Sequence, residues 1–463
     1  MNVDEQVEEE LAVRGGSWAA KLAKEVELAD SPVCLLCSGL RGSGKSTELL
    51  RLTARLSDDS PERANLLPVL IDAEEVLDLT APVDVPDLLM AMLYETERAV
   101  LREEKRPEDE AMHEGAFERL WGLVRRMSVE SVKVEFGAGA EGSVAAPGVG
   151  AKGTASSKVV AELKVSPSLR KQVRDAVANG LSTFLGQVER EFRKLEQRAV
   201  AKGRSGLVVI VDSLEKLQGT SETFEEVLNS VERVFANGAP YLRLPVHVIY
   251  TVPPPMLVRM PTDSVRFLPM IKLRTWGREP VEGAVVARGK PFPEGVAVAR
   301  EMVRRRVPNG ALAELLGPDF EGRLRAIIQW SGGYPRELLR LMQRVMTAER
   351  FPLSDRLFRR ALTQAADESS RIVFSNGRRA LDMLAKVYLT QKLTVDPGEH
   401  VPADRLLTGN LILRYSNDKE WDDVHPALLE PPALREAIER QQAALSAARA
   451  STSPPALAEP APG

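Results

Sequence analysis

The residues best placed to do chemistry stand early in the chain. Gly39-Leu40-Arg41-Gly42-Ser43-Gly44-Lys45-Ser46 is a complete G-x-x-x-x-G-K-S. Glycines at these positions let successive backbone N–H groups turn inward on a phosphate chain, and a helix that starts near Lys45 adds its positive end. In such a loop Lys45 meets the β- and γ-phosphates and Ser46 binds Mg²⁺. Gly39, Arg41, Gly42, Ser43, Gly44, Lys45, Ser46 and Thr47 are therefore the candidate nucleotide-binding residues, and ATP with Mg²⁺ the implied cofactors. A tight glycine turn with an exposed lysine would not need the glycines and the Gly-Lys-Ser ending together.

A phosphate loop needs an acid at the end of a nearby strand to hold the metal. Asp212, after the five aliphatic residues Leu207-Val208-Val209-Ile210-Val211, supplies it, so Ser46 and Asp212 are the candidate metal ligands. Glu215, three positions on, is the candidate for polarising the attacking water, since phosphoryl transfer depends on positioning and charge placement. Its plainer reading is a salt-bridged acid in a turn. Thr251 closes a further apolar run ahead of Pro253-Pro254-Pro255, where its hydroxyl can touch the γ-phosphate or can simply be a strand residue. Arg336, in Gly333-Tyr334-Pro335-Arg336, opens a helix and either reaches the phosphates from a lid or stays solvated.

These side chains need a scaffold, and hydrophobic periodicity supplies one. Val33 to Cys37 reads as a strand leading into the loop, and Leu49, Leu50, Leu52 and Leu56 as a helix leading out. Leu66 to Ile71 is a second strand, with pairing expected only from Pro68. Val246 to Tyr250 and Phe267 to Leu273 complete the set. Asp84 caps a helix with Pro86 in its first turn, Ser166-Pro167 opens one long helix down to Leu195, and Glu222 to Phe235 forms another. Strands alternating with helices predict an α/β fold with a parallel sheet covered on both faces.

Six glycines at 137, 139, 142, 148, 150 and 153 mark an insertion at about 131–165, whose flanks, Ser131 to Phe136 and Ser157 to Val165, read as two strands. Domains are expected at 1–276 for the nucleotide block, 277–369 for a helical lid and 370–432 for a small helical unit with a hairpin, Leu411 to Tyr415 against Trp421 to Val424. A helical and Pro/Ala-rich tail over 433–463 follows, its last residues expected to be disordered.

Composition narrows the ligand classes. The 463 residues carry 62 Lys+Arg against 66 Asp+Glu, a formal net charge of -4, and 5% aromatic residues, a poor endowment for stacking bases or gripping phosphate backbones. No apolar run approaches a membrane span and the acidic first residues do not form a secretory signal, so a cytoplasmic chain is expected. Cys34 and Cys37 form a C-x-x-C inside a strand-like run and read as small buried hydrophobes.

Taken together, the phosphate loop, the strand ending Asp212-Ser213-Leu214-Glu215-Lys216, the strand ending in Thr251, the helix-opening Gly332-Gly333-Tyr334-Pro335-Arg336 and the terminal helix-plus-hairpin unit resemble AAA+ ATPases. Within that superfamily the chain is similar to origin-recognition-like and STAND/NACHT-like members, many of them signalling switches in bacterial antiviral defence. The resemblance covers roughly residues 15–430, with only the two phosphate-site motifs specific. It implies a P-loop NTPase with a five-stranded parallel sheet in the order 5-1-4-3-2, Thr251 as sensor 1, Arg336 as sensor 2 and a winged helix at 370–432. The usual adjacent Asp-Glu is here Asp212-Ser213, closer to the STAND-like arrangement, which favours slow hydrolysis resetting a switch. An arginine finger is not assignable, Arg259 and Arg266 being weak candidates.

Between Arg371 and His425 eight basic residues face eight acids, a balance unlike that of a DNA reader. The sequence thus leads to an ATP-binding and ATP-hydrolysing switch acting on a protein effector or on itself. The alternative is a DNA-binding ATPase of initiator or loader type that uses the C-terminal winged helix.

Overall fold

The computed structural model describes residues 13–60, 63–108, 112, 115–131, 155–261, 263–277, 289–347, 351–396, 398–416 and 420–452. The chain divides into a unit spanning Trp18–Leu268 and a second unit formed by Met1–Ser17 with Pro269–Gly463.

The first unit runs α1 (Trp18–Glu27), β1 (Cys34–Ser38), α2 (Lys45–Leu56), β2 (Leu67–Asp72), α3 (Val85–Glu103), α4 (Ala116–Ser131), α5 (Ala155–Val165), α6 (Pro167–Ala178), α7 (Leu181–Val200), β3 (Leu207–Asp212), α8 (Phe224–Glu232), β4 (His247–Thr251) and β5 (Val265–Phe267). All four strand pairings are parallel, in the order β2-β3-β4-β1-β5, which is the 5-1-4-3-2 arrangement read from the other edge. This is an α/β P-loop fold. The aliphatic run of β3 is explained by its central place: Val209 and Val211 pack with α3, α4 and α7, while Val208 and Ile210 pack with α1 and α2. Alternate side chains enter opposite cores, so every position must be apolar.

Local chemistry sets the element boundaries. Asp84 and Asp87 form a reciprocal capping box at the start of α3, and the Ser166 hydroxyl accepts the Leu169 N–H at the start of α6. Pro68 lies within β2 and pairs with Val208 from the first residues of the strand; β2 is an edge strand, where an absent N–H facing outward costs nothing. Cys34 and Cys37 are free thiols in β1; burial lifts Cys34 to about 11 and Cys37 higher still, so neither is primed for thiolate chemistry.

Three expectations are corrected. Residues 157–165 belong to helix α5, with Val160 and Leu163 buried at helical spacing. The long helix after Ser166 is two helices, broken at Asn179-Gly180, where a Cβ on Gly180 would stand 2.5 Å from Met127 Cε. The last strand is only Val265–Phe267, since Pro269 stops it after Leu268 N–H has bonded Ser38 O. The glycine-rich stretch 137–153 lies outside the described residues.

The second unit contains α9 (Pro293–Arg304), α10 (Asn309–Leu316), α11 (Phe320–Ser331), α12 (Pro335–Met346), α13 (Asp355–Ser375), α14 (Gly377–Thr390), α15 (His400–Thr408), β6 (Ile412–Ser416), β7 (Glu420–Val424) and α16 (Pro432–Thr452). Ile327, Leu338, Leu341, Phe358 and Leu362 form the core of α9–α13. The expected hairpin is present, with Tyr415 opposite Trp421 and their rings stacked at 4.3 Å. The start of the expected loose tail is helical to Thr452, and 453–463 lie outside the described residues. No described helix is long and apolar enough to cross a membrane.

Candidate functional site

The phosphate loop occupies the turn between β1 and α2, at the carboxyl ends of the strands. Gly42 and Gly44 take φ of 96° and 102°, left-handed values that a side chain disfavours. Around Gly44 nothing lies within 4 Å of an added Cβ, so glycine is needed there for backbone conformation alone. At Gly39 the reason is space, because a Cβ would press on Leu268, Ser43 and the Lys45 stem at 3.1–3.3 Å. Helix α2 begins at Lys45, and Arg41, Ser46 and Thr47 are exposed at the mouth of the loop.

Lys45 is 3% exposed, and its ammonium donates to the Gly39 carbonyl at 2.9 Å and the Leu40 carbonyl at 3.3 Å. It also pairs with Glu215 Oε1 at 3.1 Å, both side chains being buried. Glu215 Oε2 is buried too and has no hydrogen-bond partner among the described residues. The Asp212 carboxylate bonds the Ser46 hydroxyl and accepts the Ser213 N–H at 2.7 Å. Burial pushes the Asp212 carboxyl above its ordinary range and the Glu215 charge adds to the rise, while Ser46, the Ser213 N–H and Lys45 oppose it.

Lys45 thus meets Glu215 and Ser46 meets Asp212, although α2 and β3 are far apart in sequence. The device that brings Glu215 back is Ser213, at φ 68°, followed by a 3₁₀ turn over Leu214–Lys216. A non-glycine residue in that region carries local strain. Nothing in the residue type signals this, and sequence reading passed over Ser213. It likewise missed the Gly39 and Leu40 carbonyls, which act through the backbone and leave no sequence mark.

Thr251 lies between the two motifs because β4 is inserted between β1 and β3. Its hydroxyl donates to Val211 O at 3.2 Å and accepts the Leu214 N–H at 3.0 Å, in a fully buried position. Thr251 therefore ties the end of β3 to the turn that carries Glu215. Arg336 is an exposed residue in the first turn of α12, in the second unit. Arg259 is bound to Glu232 at 2.7 Å and Asn229 at 2.8 Å, and Arg266 to both Glu25 oxygens at 3.0 and 2.9 Å, so each guanidinium serves its own fold.

The site fits a magnesium-bound nucleotide on its donor chemistry. Ser46 and Asp212 offer hard oxygens side by side, and the unpartnered Glu215 oxygen points to a group still to be accommodated. No group of three or more His, Cys, Asp or Glu side chains that could hold a metal ion occurs among the described residues.

No family model matches the chain, and no curated protein matches it. Similar solved structures include the Aeropyrum pernix ORC2 protein in ADPNP–ADP complexes, at 12% identity over 96% of this chain and 95% of that one, with a TM-score of 0.32. Cdc6p from Pyrobaculum aerophilum is 10% identical over 95% of this chain and 94% of that one, with a TM-score of 0.28.

Proposed function

We propose that the chain binds and slowly hydrolyses ATP, and that the bound nucleotide switches its action on a protein partner. The observation that carries the reading is the convergence of Lys45, Ser46, Asp212 and Glu215 at the carboxyl ends of β1 and β3. The loop amides and Lys45 hold the β- and γ-phosphates. Ser46 and Asp212 hold Mg²⁺, which when bound neutralises charge developing on the phosphate oxygens. Glu215 orients the attacking water, and Thr251 keeps the Glu215 turn in register. Arg336 is assigned to a lid over 277–369 that senses the γ-phosphate, with the nucleotide block at 1–276 and a winged-helix-like reporter at 370–432. Slow turnover, like a place in antiviral signalling, rests on the resemblance of the Asp212-Ser213-Leu214-Glu215 arrangement to STAND-like ATPases. The test is ATP hydrolysis by wild type, Lys45→Ala and Glu215→Gln. Turnover in the wild type and its loss in both variants is expected, and a wild type as inert as the variants removes the enzyme reading.

A second reading, ATP-governed binding of duplex DNA, is favoured by one observation. Arg356, Arg359, Arg360 and Arg371 are exposed along α13, and Arg379 is exposed in the first turn of α14. At 100° per residue the first four fall on one face of α13 together with the exposed Asp367, a face of net positive charge suited to phosphates. The hairpin contributes little, because Arg414 is committed to Asp422 at 2.8 Å and Glu420 at 3.3 Å. A gel shift with duplex DNA that weakens with salt and is abolished by Arg356→Glu with Arg360→Glu would support this reading, and no shift at low salt removes it.

A further inference from the structure

The contacts of Lys45 reach beyond a list of phosphate-site residues. An ammonium has three donors. In the structure the Lys45 ammonium meets Gly39 O at 2.9 Å, Leu40 O at 3.3 Å and Glu215 Oε1 at 3.1 Å, with side-chain exposures of 2% for the lysine and 6% for the glutamate. The carboxylate thus occupies the position on Lys45 that an anionic ligand of this loop would take. It is not there by chance of a long, mobile side chain. Ser213 at φ 68° reverses the chain directly after β3, the Ser213 N–H is fixed by Asp212 Oδ1 at 2.7 Å, and the Leu214 N–H is fixed by Thr251 Oγ1 at 3.0 Å. Two backbone anchors in a row hold the turn from which the Glu215 carboxylate reaches Lys45.

We propose that Glu215 is an affinity- and specificity-setting residue of the phosphate site: its carboxylate competes with the β-phosphate for Lys45, so that only a ligand bearing a polyphosphate releases it. The inference rests on the nucleotide reading above and adds to it an exchange. When a diphosphate or triphosphate takes over the Lys45 donors, the Glu215 carboxylate is freed at the same moment and in the same place. Adenosine and AMP, which cannot reach Lys45 with a β-phosphate, leave the pair closed. The orphaned Glu215 Oε2, buried beside this exchange, gains a water or hydroxyl partner only once the carboxylate swings away. Displacing a buried, charge-assisted bond makes binding weaker than the loop alone would allow, and it ties release of the water-orienting acid to the arrival of phosphate.

The exchange is tested by isothermal titration of the full chain with ADP, inorganic pyrophosphate and adenosine, none of which requires hydrolysis. Glu215→Gln keeps the shape and removes the competing charge. ADP and pyrophosphate are expected to bind about tenfold more tightly to this variant than to wild type, the difference between displacing an ionic and a neutral acceptor, with adenosine unchanged. Glu215→Asp keeps the charge but withdraws it by one methylene, and serves with the same expected direction where Glu215→Gln does not fold. Equal or weaker ADP and pyrophosphate binding in the folded variants overturns the inference and leaves the nucleotide reading standing. Absence of ADP binding in wild type and variants alike overturns both.

Discussion

Gly333 and Gly377 share a backbone conformation and differ in what surrounds them, so alanine at each position separates strain from space. Both have φ of 74°. A left-handed alanine costs about 1–2 kcal/mol, offset by about 0.5–1 kcal/mol because the unfolded chain loses freedom. Nothing lies within 4 Å of a Cβ built on Gly377, so Gly377→Ala is expected to cost the remainder, about 1 kcal/mol. At Gly333 the same Cβ would stand 1.7 Å from the carbonyl oxygen of Ile271, whose N–H donates to Gly333 O at 3.2 Å. Two backbone segments would have to part and a buried hydrogen bond would be lost, adding about 3 kcal/mol. Gly333→Ala is therefore expected to be destabilised by about 4 kcal/mol. Urea unfolding of the full chain followed by far-ultraviolet circular dichroism reads both variants on one scale. Equal midpoint shifts would refute the close approach of 271 to 333. The outcome bears on the Gly332-Gly333-Tyr334-Pro335-Arg336 motif: its glycines serve packing, Gly332 against Leu413 and Pro426 and Gly333 against Ile271, and the Tyr415 hydroxyl donates to Gly332 O at 2.6 Å.

Two further outcomes follow from buried polar groups. Thr251→Val leaves the Leu214 N–H and Val211 O without the hydroxyl, so stability should fall by about 2 kcal/mol and kcat should fall with KM nearly unmoved, while Thr251→Ser restores both; an unchanged kcat in the folded valine variant contradicts a positioning role. Asp87, in the capping box of α3, is pushed from 3.8 up to about 6 by burial, against the pull of Arg174. Its folded-state pKa lies above the unfolded one, so its contribution is fully present below pH 3.8 and is lost as pH rises through about 6, a decline of about 3 kcal/mol. Asp87→Asn, which keeps the capping acceptor, should flatten that decline and be the more stable form at neutral pH; parallel pH–stability curves for the two proteins would contradict it.

The phosphate loop and β3 were legible because their chemistry is local: glycines for left-handed turns, and an unbroken aliphatic run for a strand buried on both faces. The sheet order followed from the resemblance those motifs carry. What escaped depends on contacts distant in sequence or on backbone geometry. The alternation of the 157–165 segment reads as a strand, yet the buried Val160 and Leu163 belong to a helical stripe that packs beside α3. Ser213 holds a conformation usually left to glycine, and only the fold shows that it folds Glu215 onto Lys45. Thr251, read either as a group touching the γ-phosphate or as a plain strand residue, has its hydroxyl bonded to the main chain on both sides, a contact visible only once β4 is known to lie between β1 and β3.

The central claim is that Lys45 and its loop hold nucleotide phosphate. Isothermal titration of magnesium–ATP into the full-length wild type and into Lys45→Ala tests it most directly. One saturable site in the wild type, weakened at least tenfold in the variant, is the predicted result. Binding that survives Lys45→Ala undiminished, or a wild type that binds no ATP, would contradict it.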